Sequence, residues 1–113
     1  MEREQGIKLM QDLLRRMVER KGSDLFITAG FPPAMKVDGK VMPVSQQSLS
    51  PIHTQELARS IMTDKQAAEF EATNECNFAI SPSGIGRFRV NAFVQQGRAG
   101  LVLRTITTTI PKF

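Results

Sequence analysis

The stretch from residue 84 to residue 106 constrains the fold more than any other part of the sequence, because it is typical of a long β-hairpin. Gln96-Gly97 supplies the tight turn at its middle. The pairing that this turn imposes places apolar side chains on one face, among them Val90, Ala92, Leu101 and Leu103. The other face carries basic side chains. We therefore predict an antiparallel sheet with one buried face and one basic face.

Arginines fall together on the basic face of this hairpin. The predicted register sets Arg104 directly across from Arg89, with Arg87 beside them. Like charges that face each other across two strands disfavour the folded state by a few tenths to about 1 kcal/mol. The arrangement therefore requires a compensating anion or carboxylate, which makes Arg87, Arg89 and Arg104 the candidate binding residues. The alternative is that these arginines only solubilise an outer face.

Length and composition exclude several classes of protein. The length of 113 residues predicts one domain, and the net charge is +4. The sequence includes neither a membrane-spanning apolar run nor a secretory signal segment. A single cysteine, Cys76, and a single histidine, His53, provide neither a disulfide framework nor the ligands of a zinc site. We therefore expect a cytoplasmic domain without a metal, in which Cys76 is a buried apolar filler and His53 a surface residue.

Periodicity and capping signals predict three helices. Apolar residues at helical spacing indicate an amphipathic helix over about residues 2–21, with Gly22 as its stop. Ser50-Pro51 begins a second helix, which runs to about Met62. The capping box over residues 63–66 begins a third helix immediately afterwards.

The remaining segments predict strands and turns. Residues 25–28 form a short buried strand, Asp38-Gly39 is the turn of a hairpin, and an alternating strand begins at Glu75. Residues 45–50 are polar and typical of a turn. The fold class is therefore α+β, with a mainly antiparallel sheet, an N-terminal helix and two short helices on one side.

The sequence lacks a phosphate-binding loop of its own. Residues 34–41 come closest to a Walker A loop, but Val41 stands where Ser or Thr must hold magnesium, and the context is strand, turn, strand. The two short helices could form a helix-turn-helix, yet the second offers Asp64, Glu69 and Glu71, which suit phosphates poorly. We therefore expect no catalytic residue in this chain, no nucleotide hydrolysis by the chain alone and no nucleic-acid partner.

A succession of motifs resembles the N-terminal domain of the type IV pilus retraction ATPases of the PilT/PilU family. The motifs, in chain order, are SDLFITAG followed by PP, then KVDGKVMPV, NECNFAI, GRFRVNAF and GLVLRTI. The first and third of them, with Phe26-Ile27-Thr28 and with residues 74–78, are closer to the PilU branch than to the PilT branch. The resemblance covers roughly residues 9–113, and the ordered succession is far more specific than any one motif.

This resemblance implies a PAS-like domain over residues 1–106, with residues 107–113 as the start of a linker to a RecA-like ATPase domain that this chain lacks. It also implies a homo-hexameric motor at the inner face of the cytoplasmic membrane, in which ATP and magnesium drive pilus retraction and twitching motility. Its further partners would be a PilT-like motor and the inner-membrane pilus platform. In the family, arginines of this domain help to close the nucleotide site, and the matching positions are Arg87, Arg89 and Arg104.

The residues and the resemblance together give two hypotheses. In the first, Arg104 and one of Arg87 or Arg89 contact the nucleotide of the ATPase domain, while the other bonds within its own domain. In the second, the chain is a PAS-like interaction module without ATP-linked function, whose arginines pair with carboxylates of neighbouring subunits. A PAS-like fold could also sense a small ligand, although fold analogy alone is a poor reason to expect one.

Overall fold

Three helices pack on one face of a six-stranded antiparallel sheet in the computed structural model, which describes residues 3–106. The elements in chain order are α1 (Arg3–Glu19), β1 (Asp24–Thr28), β2 (Ala34–Val37), β3 (Lys40–Pro43), α2 (Pro51–Ser60), α3 (Asp64–Thr73), β4 (Glu75–Ile80), β5 (Phe88–Gln95) and β6 (Arg98–Thr105). The strand order is β3-β2-β1-β6-β5-β4. The predicted α+β class and the placement of the helices are confirmed, and the architecture is consistent with a PAS-like domain. The predicted linker, residues 107–113, lies outside the described residues.

The β5–β6 hairpin has the register that its turn predicts. Gln96 and Gly97 both take positive φ angles, 54° and 76°, as a type I′ turn requires. Val90 pairs with Leu103, and Arg89 pairs with Arg104. The turn of the β2–β3 hairpin has the same geometry, so residues 34–41 form a strand, a turn and a strand instead of a phosphate loop.

The helices begin at the residues that their caps predict. The Ser50 hydroxyl accepts a hydrogen bond from the His53 N–H at 3.2 Å. The Thr63 hydroxyl accepts one from the Gln66 N–H, and the Gln66 side chain accepts one from the Thr63 N–H. Both caps satisfy N–H groups that the first helical turn leaves without partners.

The end of α1 differs from the prediction in one detail. The left-handed residue after this helix is Lys21, with a φ angle of 56°, and not Gly22. Gly22 instead allows a close approach, since a Cβ atom there would lie 3.2 Å from Cγ of Met17. Its N–H donates to the Met17 carbonyl at 2.7 Å and thereby closes the helix end.

The hydrophobic core lies between the helices and one face of the sheet, which we call the inner face. The helices contribute Met10, Leu14, Met17, Leu57 and Phe70 to this core. The inner face contributes Leu25, Ile27, Met35, Cys76, Val90, Ala92, Leu101 and Leu103. The opposite face, which we call the outer face, is covered by none of the described helices.

The segment from residue 45 to residue 50 is not wholly the polar turn that we predicted. Leu49 is buried in the core and forms a parallel bridge with Ala29. Its N–H donates to the Phe31 carbonyl, and its carbonyl accepts from the Gly30 N–H at 2.7 Å. A single leucine among polar residues has no periodicity, so the sequence carried no signal for this burial.

Substitutions on the two faces of β6 should change stability by unequal amounts. Leu103→Ala should lower the free energy of unfolding by about 2–5 kcal/mol, because Leu103 is fully buried and the substitution leaves a cavity. Val102→Thr, on the outer face of the same strand, should change it by less than about 1 kcal/mol. Chemical denaturation of the two variants measures both effects. Equal losses would contradict the assignment of the faces.

Candidate functional site

A row of charged side chains crosses the outer face. Arg89, Arg104, Asp24 and Lys36 are successive cross-strand neighbours on β5, β6, β1 and β2. We call these four residues the charged row. It carries cations on both sides of one carboxylate, so it is an electropositive band on an otherwise open sheet face.

Asp24 is the carboxylate that the facing arginines were predicted to require. The Nε–H of Arg104 donates to Oδ2 of Asp24 at 3.4 Å. The Asp24 side chain is 13% exposed, whereas the Arg104 side chain is 72% exposed. Because Arg104 lies so far in solvent, the ion pair contributes at most about 1 kcal/mol to folding. The sequence could not identify Asp24, since the pairing of β1 with β6 joins residues far apart in the chain.

Arg89 and Arg87 lie close to this pair but differ from Arg104 in their contacts. Both are exposed, and within residues 3–106 neither forms an ion pair or a side-chain hydrogen bond. Arg87 lies just before β5, where its carbonyl accepts from the Ile106 N–H at 2.9 Å. The arginine that bonds inside the described domain is therefore Arg104, whereas our hypothesis gave that role to Arg87 or Arg89.

An apolar row lies directly beside the charged row on the outer face. Val102, Phe26 and Ala34 are successive cross-strand neighbours on β6, β1 and β2. Further along the same face, Phe93 lies against its cross-strand partner Gly100, where an added Cβ atom would come within 2.8 Å of the aromatic ring. The outer face can therefore contact a surface that is anionic in one part and apolar in another.

A separate cleft lies between two of the helices, away from the outer face. It has a volume of about 420 Å³ and is lined by residues of α2 and α3, including Ile52, Arg59 and Asp64. Its cation is already engaged, because Nη1 of Arg59 lies 3.0 Å from Oε1 of Glu71. The Ser60 hydroxyl that lines the cleft donates to the Leu57 carbonyl at 2.6 Å, so we place the candidate site on the outer face.

Residues 3–106 contain no group of three His, Cys, Asp or Glu side chains that could hold a metal ion. The described helices include none that is long and apolar enough to cross a bilayer. His53 is half-buried in the first turn of α2, where its N–H bonds to the Ser50 cap.

The facing arginines predict a salt-dependent change in stability. Arg89→Thr removes a charge that faces Arg104, so the free energy of unfolding should rise by roughly 0.2–1 kcal/mol at low ionic strength. The gain should shrink at 0.5 M salt, where charges on exposed side chains are screened over about 4 Å. Arg98→Thr is the matched control, because Arg98 faces the neutral Gln95. A gain of the same size in both variants would contradict the repulsion.

The burial of Cys76 predicts that its thiol reacts slowly with thiol reagents. Burial raises the pKa of the Cys76 thiol, and the charge of Glu69 raises it further. The folded state therefore keeps its proton to a higher pH than the unfolded state, and stability should fall as the pH rises above the ordinary thiol pKa. At pH 8 a thiol reagent should modify the folded chain at least about tenfold more slowly than the denatured chain. Equal rates would show that Cys76 is accessible.

No family model matches the chain. The chain is 57% identical over 101 residues to the type IV pilus ATPase PilU of Pseudomonas aeruginosa. It is 39% identical over 99 residues to the type IV pilus retraction ATPase PilT of the same organism. These matches cover 89% and 88% of this chain but 26% and 29% of the relatives, so the chain spans about a quarter of the length of the curated relatives that it matches.

Solved structures agree with the sequence comparison. The pilus retraction motor PilT with bound ADP superposes with a TM-score of 0.85 at 30% identity, over 91% of this chain and 30% of that chain. The Legionella pneumophila ATPase DotB superposes with a TM-score of 0.78 at 25% identity, over 94% of this chain and 30% of that chain. The higher identity to PilU than to PilT confirms the predicted branch. The chain therefore belongs to the PilT/PilU family of type IV pilus ATPases, and it corresponds to the N-terminal domain of the family's members.

Proposed function

We propose that this chain is the N-terminal domain of a hexameric pilus retraction motor and that its outer face supplies arginines to the nucleotide site of that motor. The observation that carries the proposal is the pair of facing arginines, Arg89 and Arg104, on an open sheet face. An arrangement that costs folding energy is expected to persist where it serves a ligand. A nucleotide phosphate is a ligand that would offset the repulsion.

The guanidinium group suits this role chemically. It presents a planar fork of donors that binds phosphate oxygens in pairs, and it stays charged at every physiological pH. Arg89 has all of its side-chain donors open within the described residues, and Arg104 uses only Nε in its bond to Asp24. The remaining N–H groups could stabilise the charge that develops on a γ-phosphate as its bond breaks.

The position of the arginines in the chain supports the same proposal. Ile106 follows Arg104 by two residues, and its N–H bonds to the carbonyl of Arg87. The proposed linker, residues 107–113, follows Ile106 directly in the sequence. A RecA-like domain tethered there would face this end of the sheet, and it would hold ATP and magnesium because this chain lacks a phosphate loop.

Nucleotide state could then control the angle between the two domains. A γ-phosphate that the ATPase domain holds would attract the arginines of the outer face, and its release would remove that attraction. In this proposal the motor works in the cytoplasm at the inner face of the membrane. Its partners are its own copies, a PilT-like motor and the pilus platform.

The apolar row favours a second candidate function. Val102 and Phe26 lie beside the charged row, and a mixed surface of this kind fits a protein partner as well as a nucleotide. In that case the arginines would pair with carboxylates of a neighbouring subunit, and the domain would act in assembly without ATP-linked function. The two functions can be distinguished because only the first requires nucleotide.

Substitution in the complete motor tests the proposed function. Arg104→Ala, and Arg89→Ala or Arg87→Ala, should lower the turnover number for ATP by about 10- to 100-fold, because each removes donors from the transition state. Steady-state ATPase assays measure the loss, and circular dichroism checks that the variants are folded.

Arg98→Ala is the matched control for these variants. Arg98 lies at the turn end of the same hairpin and should leave turnover unchanged. Unchanged turnover in Arg104→Ala, Arg89→Ala and Arg87→Ala would contradict the nucleotide role. If these variants fail to assemble into hexamers, and added nucleotide does not alter that failure, the result would favour the interaction module.

A further inference from the structure

We propose that Asp24 is a positioning residue, which orients the guanidinium of Arg104 toward the nucleotide. This inference rests on the proposed function and adds to it a residue that never contacts the nucleotide. Asp24 and Arg104 are direct cross-strand neighbours, and the Nε–H of Arg104 donates to Oδ2 of Asp24 at 3.4 Å. The contact engages one edge of the guanidinium and leaves the four N–H groups at its other end for a phosphate.

The difference in exposure within this pair favours a positioning role. The Asp24 side chain is 13% exposed and lies on the sheet, whereas the Arg104 side chain is 72% exposed and extends into solvent. A sheltered carboxylate can hold the inner part of a long side chain while the tip remains accessible. An arginine that is held in this way loses less conformational entropy when it binds its ligand.

Asp24 itself stands on rigid backbone. Its strand, β1, is paired on both sides, with β2 and with β6. The preceding residue, Ser23, donates its N–H to the Lys36 carbonyl at 2.9 Å, and its own carbonyl accepts from the Thr105 N–H at 3.1 Å. The backbone that carries the carboxylate is therefore fixed within the sheet, and a rigid support is required of a residue that orients another.

Asp24 also makes the two facing arginines unequal. Arg104 has the carboxylate on one side and Arg89 on the other, whereas Arg89 has Arg104 on one side and Ala79 on the other. Arg104 is thus anchored, whereas Arg89 has no carboxylate as a cross-strand neighbour among the described residues. We infer that Arg104 is the preorganised ligand of the phosphate and that Arg89 adds charge.

A double-mutant cycle in the complete motor tests this inference. Asp24→Ala should lower the turnover number for ATP by roughly three- to tenfold, because a misplaced Arg104 stabilises the transition state less well. In the Arg104→Ala background the same substitution should cause no further loss, since there is no arginine left to orient. Asp24→Asn keeps an acceptor and should lose less than Asp24→Ala.

Glu75→Ala is the matched control. Glu75 is an exposed carboxylate on the outer face of β4, and its cross-strand neighbour is Phe93. It should leave turnover unchanged, which separates the loss of a specific contact from a general change in charge. Thermal unfolding and size-exclusion chromatography of each motor variant check folding and assembly.

The outcomes distinguish this inference from the function on which it rests. A loss in Arg104→Ala without a loss in Asp24→Ala would overturn the positioning role and leave the proposed function standing. An equal loss from Asp24→Ala in both backgrounds would show that Asp24 acts on the fold alone, and would also overturn it. If Arg104→Ala, Arg89→Ala and Arg87→Ala all keep full turnover, the proposed function fails, and the inference fails with it.

Discussion

The pairing of β5 with β6 is the constraint on which the rest of this domain depends. Gln96 and Gly97 form a turn that sets the register, and the register decides which side chains enter the core. A shift by one residue would place Arg89 and Arg104 inside and expose Val90 and Leu103. Since β6 also pairs with β1 and β5 also pairs with β4, the pairing of β5 with β6 determines where β1 and β4 dock.

The register that places apolar side chains on the inner face places charged side chains on the outer face. Arg89 and Arg104 repel each other weakly, and Asp24 offsets part of that repulsion through one contact with Arg104. Exposed ion pairs of this kind contribute little to stability. The ion pair therefore adds little to folding, and the position of the charged row beside an apolar row gives the outer face a mixed surface.

Membership of the PilT/PilU family relates the outer face to the proposed motor. The chain matches about a quarter of the length of PilU and PilT, and in the proposed function the remainder of a motor supplies the phosphate loop. Arginines delivered from a separate rigid sheet would connect the state of the nucleotide to the angle between domains. The domain would then contribute to the chemistry of the motor through charge and position alone.

Local signals in the sequence determined much of this protein. The caps at Ser50 and Thr63, the turn at Gln96-Gly97 and the alternation along β5 and β6 act over a few residues, so helix starts, strand faces and the opposition of Arg89 to Arg104 were predictable. Only the tertiary structure decided that β1 pairs with β6. That contact joins residues 80 positions apart, which no local pattern encodes, and it alone brings Asp24 beside Arg104.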